Sequence, residues 1–490
     1  MAGEAATTLS HRDSARAEAP STDVLTVFAV LWAAAALFHV FGPSGRVFGL
    51  VDDVTKVGVA QLAVAAVALA LLARPRTTWL LVLLAVASTV SAWYEAPLLG
   101  NHWLVAVFVD LAIIGAAAVS TTHWTIDRAR LTAIAVPVAR WTLLVFYSFA
   151  AFAKLNNAFF DTNVGCGTFY FDELAGSLGF STPIAVGQGG WAQLVPFGVA
   201  GTELAIPLLL LGRRTRNAGV ALGLLFHSII ALDQTHLFSD FSSVLAALFC
   251  LFLPVAWATS VVHRYEDLSP GMRHLIRALA VVGFGTATVA MVLGRPARLF
   301  EDARLSLWLI ADALILYLVY DHLRRDRQTT LQRPFASDAM PRWLWVVPVV
   351  VVLNGLMPYF EIKTAYSYTM YSNLVTADGR TNHILVPRTL PVNGQAADLV
   401  RIKETNDPGL AAYISLGYDV PYLSLRAYLS EHPDVGLRYL RGGVEHQVAR
   451  ASDDPDLVRP VNGLERRLFA LRAVDQQDPP RCQDVFLPAL

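Results

Sequence analysis

The chain has 490 residues, of which 55% are hydrophobic and only 16% charged, where soluble domains carry about 25% charged residues. Its mean hydropathy is +0.47 and its formal net charge −1. A water-soluble globular enzyme is thereby excluded, and no bulk attraction to nucleic acid is expected.

The first 22 residues are polar and mixed in charge, and read as a disordered cytoplasmic tail. No short apolar segment with a small-residue cleavage site precedes the first apolar run, so that run is expected to be an uncleaved anchor. Apolar runs of about 17–25 residues span a bilayer. The sequence offers eleven candidates, at 24–42, 57–73, 79–94, 103–119, 138–153, 193–211, 218–232, 241–260, 276–294, 305–320 and 343–357. The expected fold is an all-α polytopic membrane bundle of about 9–11 spans with a small extracytoplasmic α+β C-terminal domain. Residues 23–260 form the transmembrane core, 261–357 add further spans, and 358–490 read as soluble chain.

Arginines set the expected orientation. If the N-terminus is cytoplasmic, alternate loops on that side hold Arg74 and Arg76, Arg128 and Arg130, Arg213, Arg214 and Arg216, and Arg264 with Arg273. The opposite loops 95–102, 155–192 and 233–240 hold no arginine or lysine. The exceptions are Arg295, Arg298 and Arg304. The positive-inside rule thus favours a multi-pass plasma-membrane protein with its N-terminus inside and its C-terminal domain outside. In that domain, 381–387 and 437–441 read as strands and 421–430 as a short helix. It carries no metal signature and no Gly-rich phosphate loop. Cys166 and Cys482 both fall on the outer side, where an oxidising compartment allows a disulfide; two unrelated thiols are the alternative.

Ionisable residues inside spans are costly and serve as functional hypotheses. The chain uses four lysines against 34 arginines, and places Lys154 at the outer end of the fifth span. Arginine stays charged, whereas a desolvated lysine can become a neutral base. Position alone favours the plainer alternative, a snorkelling anchor. Glu95, Asn101 and His102 lie on the same side, as do His227 and the loop residues Asp233, His236 and Asp240. Each has an interfacial or solvated alternative, and the last three fit no strong zinc spacing. Asp110 and Glu203 lie deeper, and Arg140 is expected to pair with one of them and hold helices together.

The stretch from Arg140 through an apolar and aromatic run to Lys154-Leu155 resembles the lysine-bearing helix of the vitamin K-dependent γ-carboxylases. It also looks like the wider group of horizontally transferred transmembrane (HTTM) domains. Asn101-His102 is similar to the family's Asn-His pair. Glu203 through the basic turn to Phe226-His227 resembles its acidic helix and Phe-His helix. Together these cover about residues 24–260. The carboxylase often has two adjacent lysines, and the first is Ala153 here. The resemblance implies Lys154 as catalytic base and His102 as its support, with Glu95, Asn101, His227, Asp233 and His236 as neighbouring candidates. It implies a reduced vitamin K or menaquinone-type quinone as cofactor, oxygen and carbon dioxide as co-substrates, and a secreted polypeptide as partner beside membrane lipid. A non-catalytic membrane scaffold for such a polypeptide and a transporter using Asp110, Glu203 and Asp312 are the alternatives.

Overall fold

A computed structural model gives the fold for residues 22–42, 45–180, 190, 192–236, 238–295, 298–325 and 340–483, with the side chains of 298–303 excepted. The expected polar tail falls outside these residues, save for Thr22 at the start of the first helix.

The bundle follows the apolar runs. Its helices are α1 (Thr22–Val40), α2 (Lys56–Ala73), α3 (Thr78–Glu95) and α4 (Asn101–Ser120), then α5 (Arg128–Ala153) after a short hairpin of β1 (Thr121–Thr122) and β2 (Thr125–Ile126). Two short helices, α6 (Asn157–Phe160) and α7 (Cys166–Ser177), precede α8 (Leu194–Leu211), α9 (Arg216–Ile230), α10 (Ser239–Cys250) and α11 (Val255–Asp267). The last are α12 (Pro270–Val292), α13 (Arg298–Arg325) and α14 (Val346–Leu356). Side-chain oxygens start several of them: Thr55 accepts from Gly58 N and Asp127 from Arg130 N.

Nine helices among the described residues are long and apolar enough to cross a membrane. α9, expected as a span, is shorter, and the expected span 241–260 is broken: α10 and α11 meet at a bend of 110°. Pro254 sits at the break and has no N–H to continue the helical ladder. Arg140, expected to pair with an acid, lies beside this break. Its Nε donates to the Leu251 carbonyl at 2.8 Å and its guanidinium lies over the Phe252 ring. Arg304, one of the three misplaced basic residues, is buried within α13 and donates to the Phe41 carbonyl at 2.7 Å. It is therefore no loop charge and carries no topological signal.

A five-stranded antiparallel sheet forms the core of the C-terminal domain. The strand order is β8-β7-β5-β6-β9. The domain contains β3 (Thr376–Ala377), β4 (Arg380–Thr381), β5 (Leu399–Thr405), α15 (Pro408–Leu416), β6 (Tyr418–Pro421) and α16 (Tyr422–Glu431), followed by β7 (Leu437–Arg441), β8 (Val444–Val448), α17 (Gly463–Leu468) and β9 (Val474–Asp475). The helix read at 421–430 and the strand at 437–441 are present. The strand read at 381–387 is not, beyond Thr381. His383 explains the loss: its Nδ1 accepts from the amides of Leu385 and Val386, which a neighbouring strand would otherwise use.

The boundary at 358 also shifts. Val400, Leu425 and Tyr439 belong to a core of their own, whereas Ala365, Tyr366 and Tyr368 belong to the core of the helical bundle. Residues 361–375 are thus a strap laid across one end of the bundle, and the five-stranded sheet begins at Leu399. Tyr366, Tyr368, Tyr371 and Asn373 all have positive φ, a costly conformation for residues with a Cβ. α1, α3 and α5 finish at the strapped end, and α4 and α10 start there.

Candidate functional site

Lys154 is the cap residue of α5 and is only 4% exposed. Its Nζ lies 2.8 Å from Glu203 Oε2 on α8 and 3.4 Å from the Met370 carbonyl of the strap. A headgroup anchor needs an exposed ammonium, so the snorkelling reading fails. Glu203, one of the two acids considered for Arg140, faces the lysine. A Lys–Glu pair out of water is held by mutual attraction that one partner alone could not replace.

His102 opens α4, with its Nε2 3.1 Å from Asp240 Oδ2. The same oxygen is 3.1 Å from His39 Nδ1, and the other nitrogen of His39 is 2.8 Å from Glu95 Oε2. Ser91 donates to Glu95 Oε1 at 2.6 Å. A buried chain of polar groups therefore runs Ser91–Glu95–His39–Asp240–His102 across α3, α1, α10 and α4. The His39 ring stacks on Trp103 with centroids 3.8 Å apart. His39 was not singled out in the sequence, where it is a lone histidine at the end of an apolar helix. Its partners are up to 201 positions away.

Asn101, beside His102, accepts the Tyr368 amide at 2.8 Å. The strap thus touches both Asn101 and Lys154 within three residues. Asn156 donates to the Ser372 carbonyl, and Asn373 Oδ1 accepts from Cys166 N at 2.8 Å. His227 lies deeper on α9, hydrogen-bonded to the Tyr147 hydroxyl and edge-on to Phe241. Phe241 is also 5.3 Å from the His102 ring. Phe146 packs on both Phe241 and Tyr368, so an aromatic wall links the two polar groups.

The expected loop trio separates. Asp233 and His236 pair with each other at 2.9 Å, while Asp240 belongs to the histidine chain. Burial raises the Asp233 pKa, but His236 and the amides of His236 and Thr235 outweigh it and hold the carboxyl below its ordinary value. Asp110 accepts from Trp32 Nε1 at 2.8 Å, within the bundle. Cys166 and Cys482 are joined as a disulfide with an S–S distance of 2.11 Å.

No family model, no curated protein and no solved structure matches the chain.

Proposed function

We propose that the chain is an HTTM-type membrane enzyme that works on a reduced quinone, with Lys154 as the base at the capped end of the bundle. The observation that carries this reading is the pairing of buried Lys154 with half-buried Glu203, with the strap's Met370 carbonyl beside it. The surroundings suit a prenylated hydroquinone: the Phe146–Tyr368–Phe241 wall is apolar, and His102 Nδ1 has no hydrogen-bond partner among the described residues. When bound, a hydroquinone would supply an acidic hydroxyl and reactivity toward oxygen.

The residues would act as follows. Within the pair, the ammonium proton passes from Lys154 to Glu203, leaving a neutral amine and a neutral acid with no net change of charge. Lys154 then accepts the hydroxyl proton. His102 orients the oxygen through Nδ1, and its ring is fixed by Asp240 at Nε2. In this reading the N-terminus is cytoplasmic and the capping domain extracytoplasmic. The disulfide supports that side, since such bonds persist in oxidising compartments. Carboxylation of a secreted polypeptide, with carbon dioxide as co-substrate, is the downstream step this chemistry would serve.

The test is epoxide formation from reduced menaquinone or phylloquinone and oxygen by the purified chain. The wild type should form it, Lys154→Ala should abolish it, and Glu203→Gln should slow it at least about tenfold by removing the proton acceptor. An undiminished yield in Lys154→Ala would discard the assignment. A folded wild type that forms none would return the scaffold reading.

A further inference from the structure

We propose that His39, His102 and Asp240 form a site for one divalent transition-metal ion at the strapped end of the bundle. The inference shares His102 and Asp240 with the quinone reading but does not rest on it.

The geometry comes first. The three donor atoms lie within 4.8 Å of one another, and each histidine nitrogen is 3.1 Å from the same carboxylate oxygen. Two ligands bound tetrahedrally at about 2.0–2.1 Å sit about 3.3 Å apart. An ion therefore enters this cluster with small displacements of side chains already gathered around one point.

The surrounding groups fit a ligand role better than a closed hydrogen-bond network. A metal-bound histidine characteristically donates its second N–H to a carboxylate. His39 has that carboxylate in Glu95 at 2.8 Å, itself held by Ser91. With an ion bound, His39 Nδ1 would ligate it and Nε2–H would donate to Glu95. Charge points the same way: two buried carboxylates face this cluster, and one divalent cation neutralises both. Asp240 Oδ1, on a residue 4% exposed, has no hydrogen-bond partner among the described residues and is free to complete the coordination.

The donor set names the class of ion. Two imidazoles and a carboxylate, with no thiolate, suit zinc or ferrous iron and leave positions open for a further ligand. The spacing of these residues hides the site from linear inspection, because the donors come from three helices. That is why the Asp233–His236–Asp240 run, inspected for a zinc pattern, shows none.

The experiment uses the full chain in detergent, stripped with a chelator and reloaded with Zn2+ or Co2+. After gel filtration the wild type should retain about one ion per chain, and the Co2+ form should show a visible d–d band without sulfur charge transfer. Asp240→Asn and His102→Gln should lose the ion, and Glu95→Gln should weaken binding about 10–100-fold. His236→Gln should retain it. Failure of the wild type to retain either ion, or full retention by Asp240→Asn, overturns the proposal. If the variants do not yield folded protein, X-ray absorption of the zinc-loaded wild type decides: imidazole scattering from two ligands supports the site, and its absence overturns it.

Discussion

Two of the four lysines are buried at the strapped end, and they differ in a way that matters. Lys154 has a carboxylate at 2.8 Å; Lys363, among the described residues, has the Asn354 side-chain oxygen at 2.6 Å and the Tyr366 ring. Burial therefore pushes the Lys363 pKa well below its ordinary value of 10.5. Between that lowered value and 10.5 the unfolded chain binds the proton that the folded chain has released, so stability rises with pH across the window. Below the window the buried charge opposes folding. Lys363→Met should flatten this dependence, as read by denaturation in detergent at a series of alkaline pH values. An unchanged slope would show that Lys363 titrates normally. Lys154 was legible in the sequence because it is a rare lysine at a helix end. Lys363 was not, because nothing in the polar stretch around it signals burial.

At the scale of elements, the strap joins what the helices cannot join alone. Asn373 accepts from Cys166 N at 2.8 Å and donates to the Val164 and Pro480 carbonyls at 2.9 and 3.1 Å, from a left-handed backbone position that asparagine tolerates better than most residues. Asn373→Ala should cost about 2–4 kcal/mol, from three lost hydrogen bonds and a less tolerant φ. Thermal unfolding in detergent checks it, and Ser415→Ala on the exposed face of α15 should cost far less. The apolar runs that became helices were read directly from composition, since a bilayer admits few other solutions. Three features were not: the break at Pro254, the strap and the loop at His383. The strap depends on Asn101 taking the Tyr368 amide from a distant part of the chain, of which linear periodicity carries no record; the other two turn on the local chemistry of Pro254 and His383, which a count of apolar residues passes over.

For the whole molecule, the disulfide ties α7 of the bundle to the segment after β9 across 316 positions. Cys482→Ser should abolish the mobility difference between oxidised and reduced protein on a denaturing gel, and should lower stability by about 2–5 kcal/mol. Identical mobility of oxidised and reduced wild type would refute the link. Arg467 of α17 adds a second contact, donating to the Trp93 carbonyl at the end of α3. The candidate site was legible only in part. Lys154, His102, Glu95 and Glu203 were named from the sequence, but their pairing was not. Arg140 had been expected to pair with Asp110 or Glu203, and the completed fold gives Glu203 to the lysine. His39, central to the buried chain, surfaces only when α1 and α10 are brought together.

One feature of the strap bears on how this protein can be labelled. Met370 accepts from Lys154 through its backbone carbonyl, and its side chain is half-buried. The position can therefore be recoded without deleting the contact. A fluorinated or infrared-active side chain installed there would hang from the residue whose backbone carbonyl accepts from the ammonium. It would serve as a local reporter of polarity beside Lys154 while leaving the acid–base groups themselves unaltered.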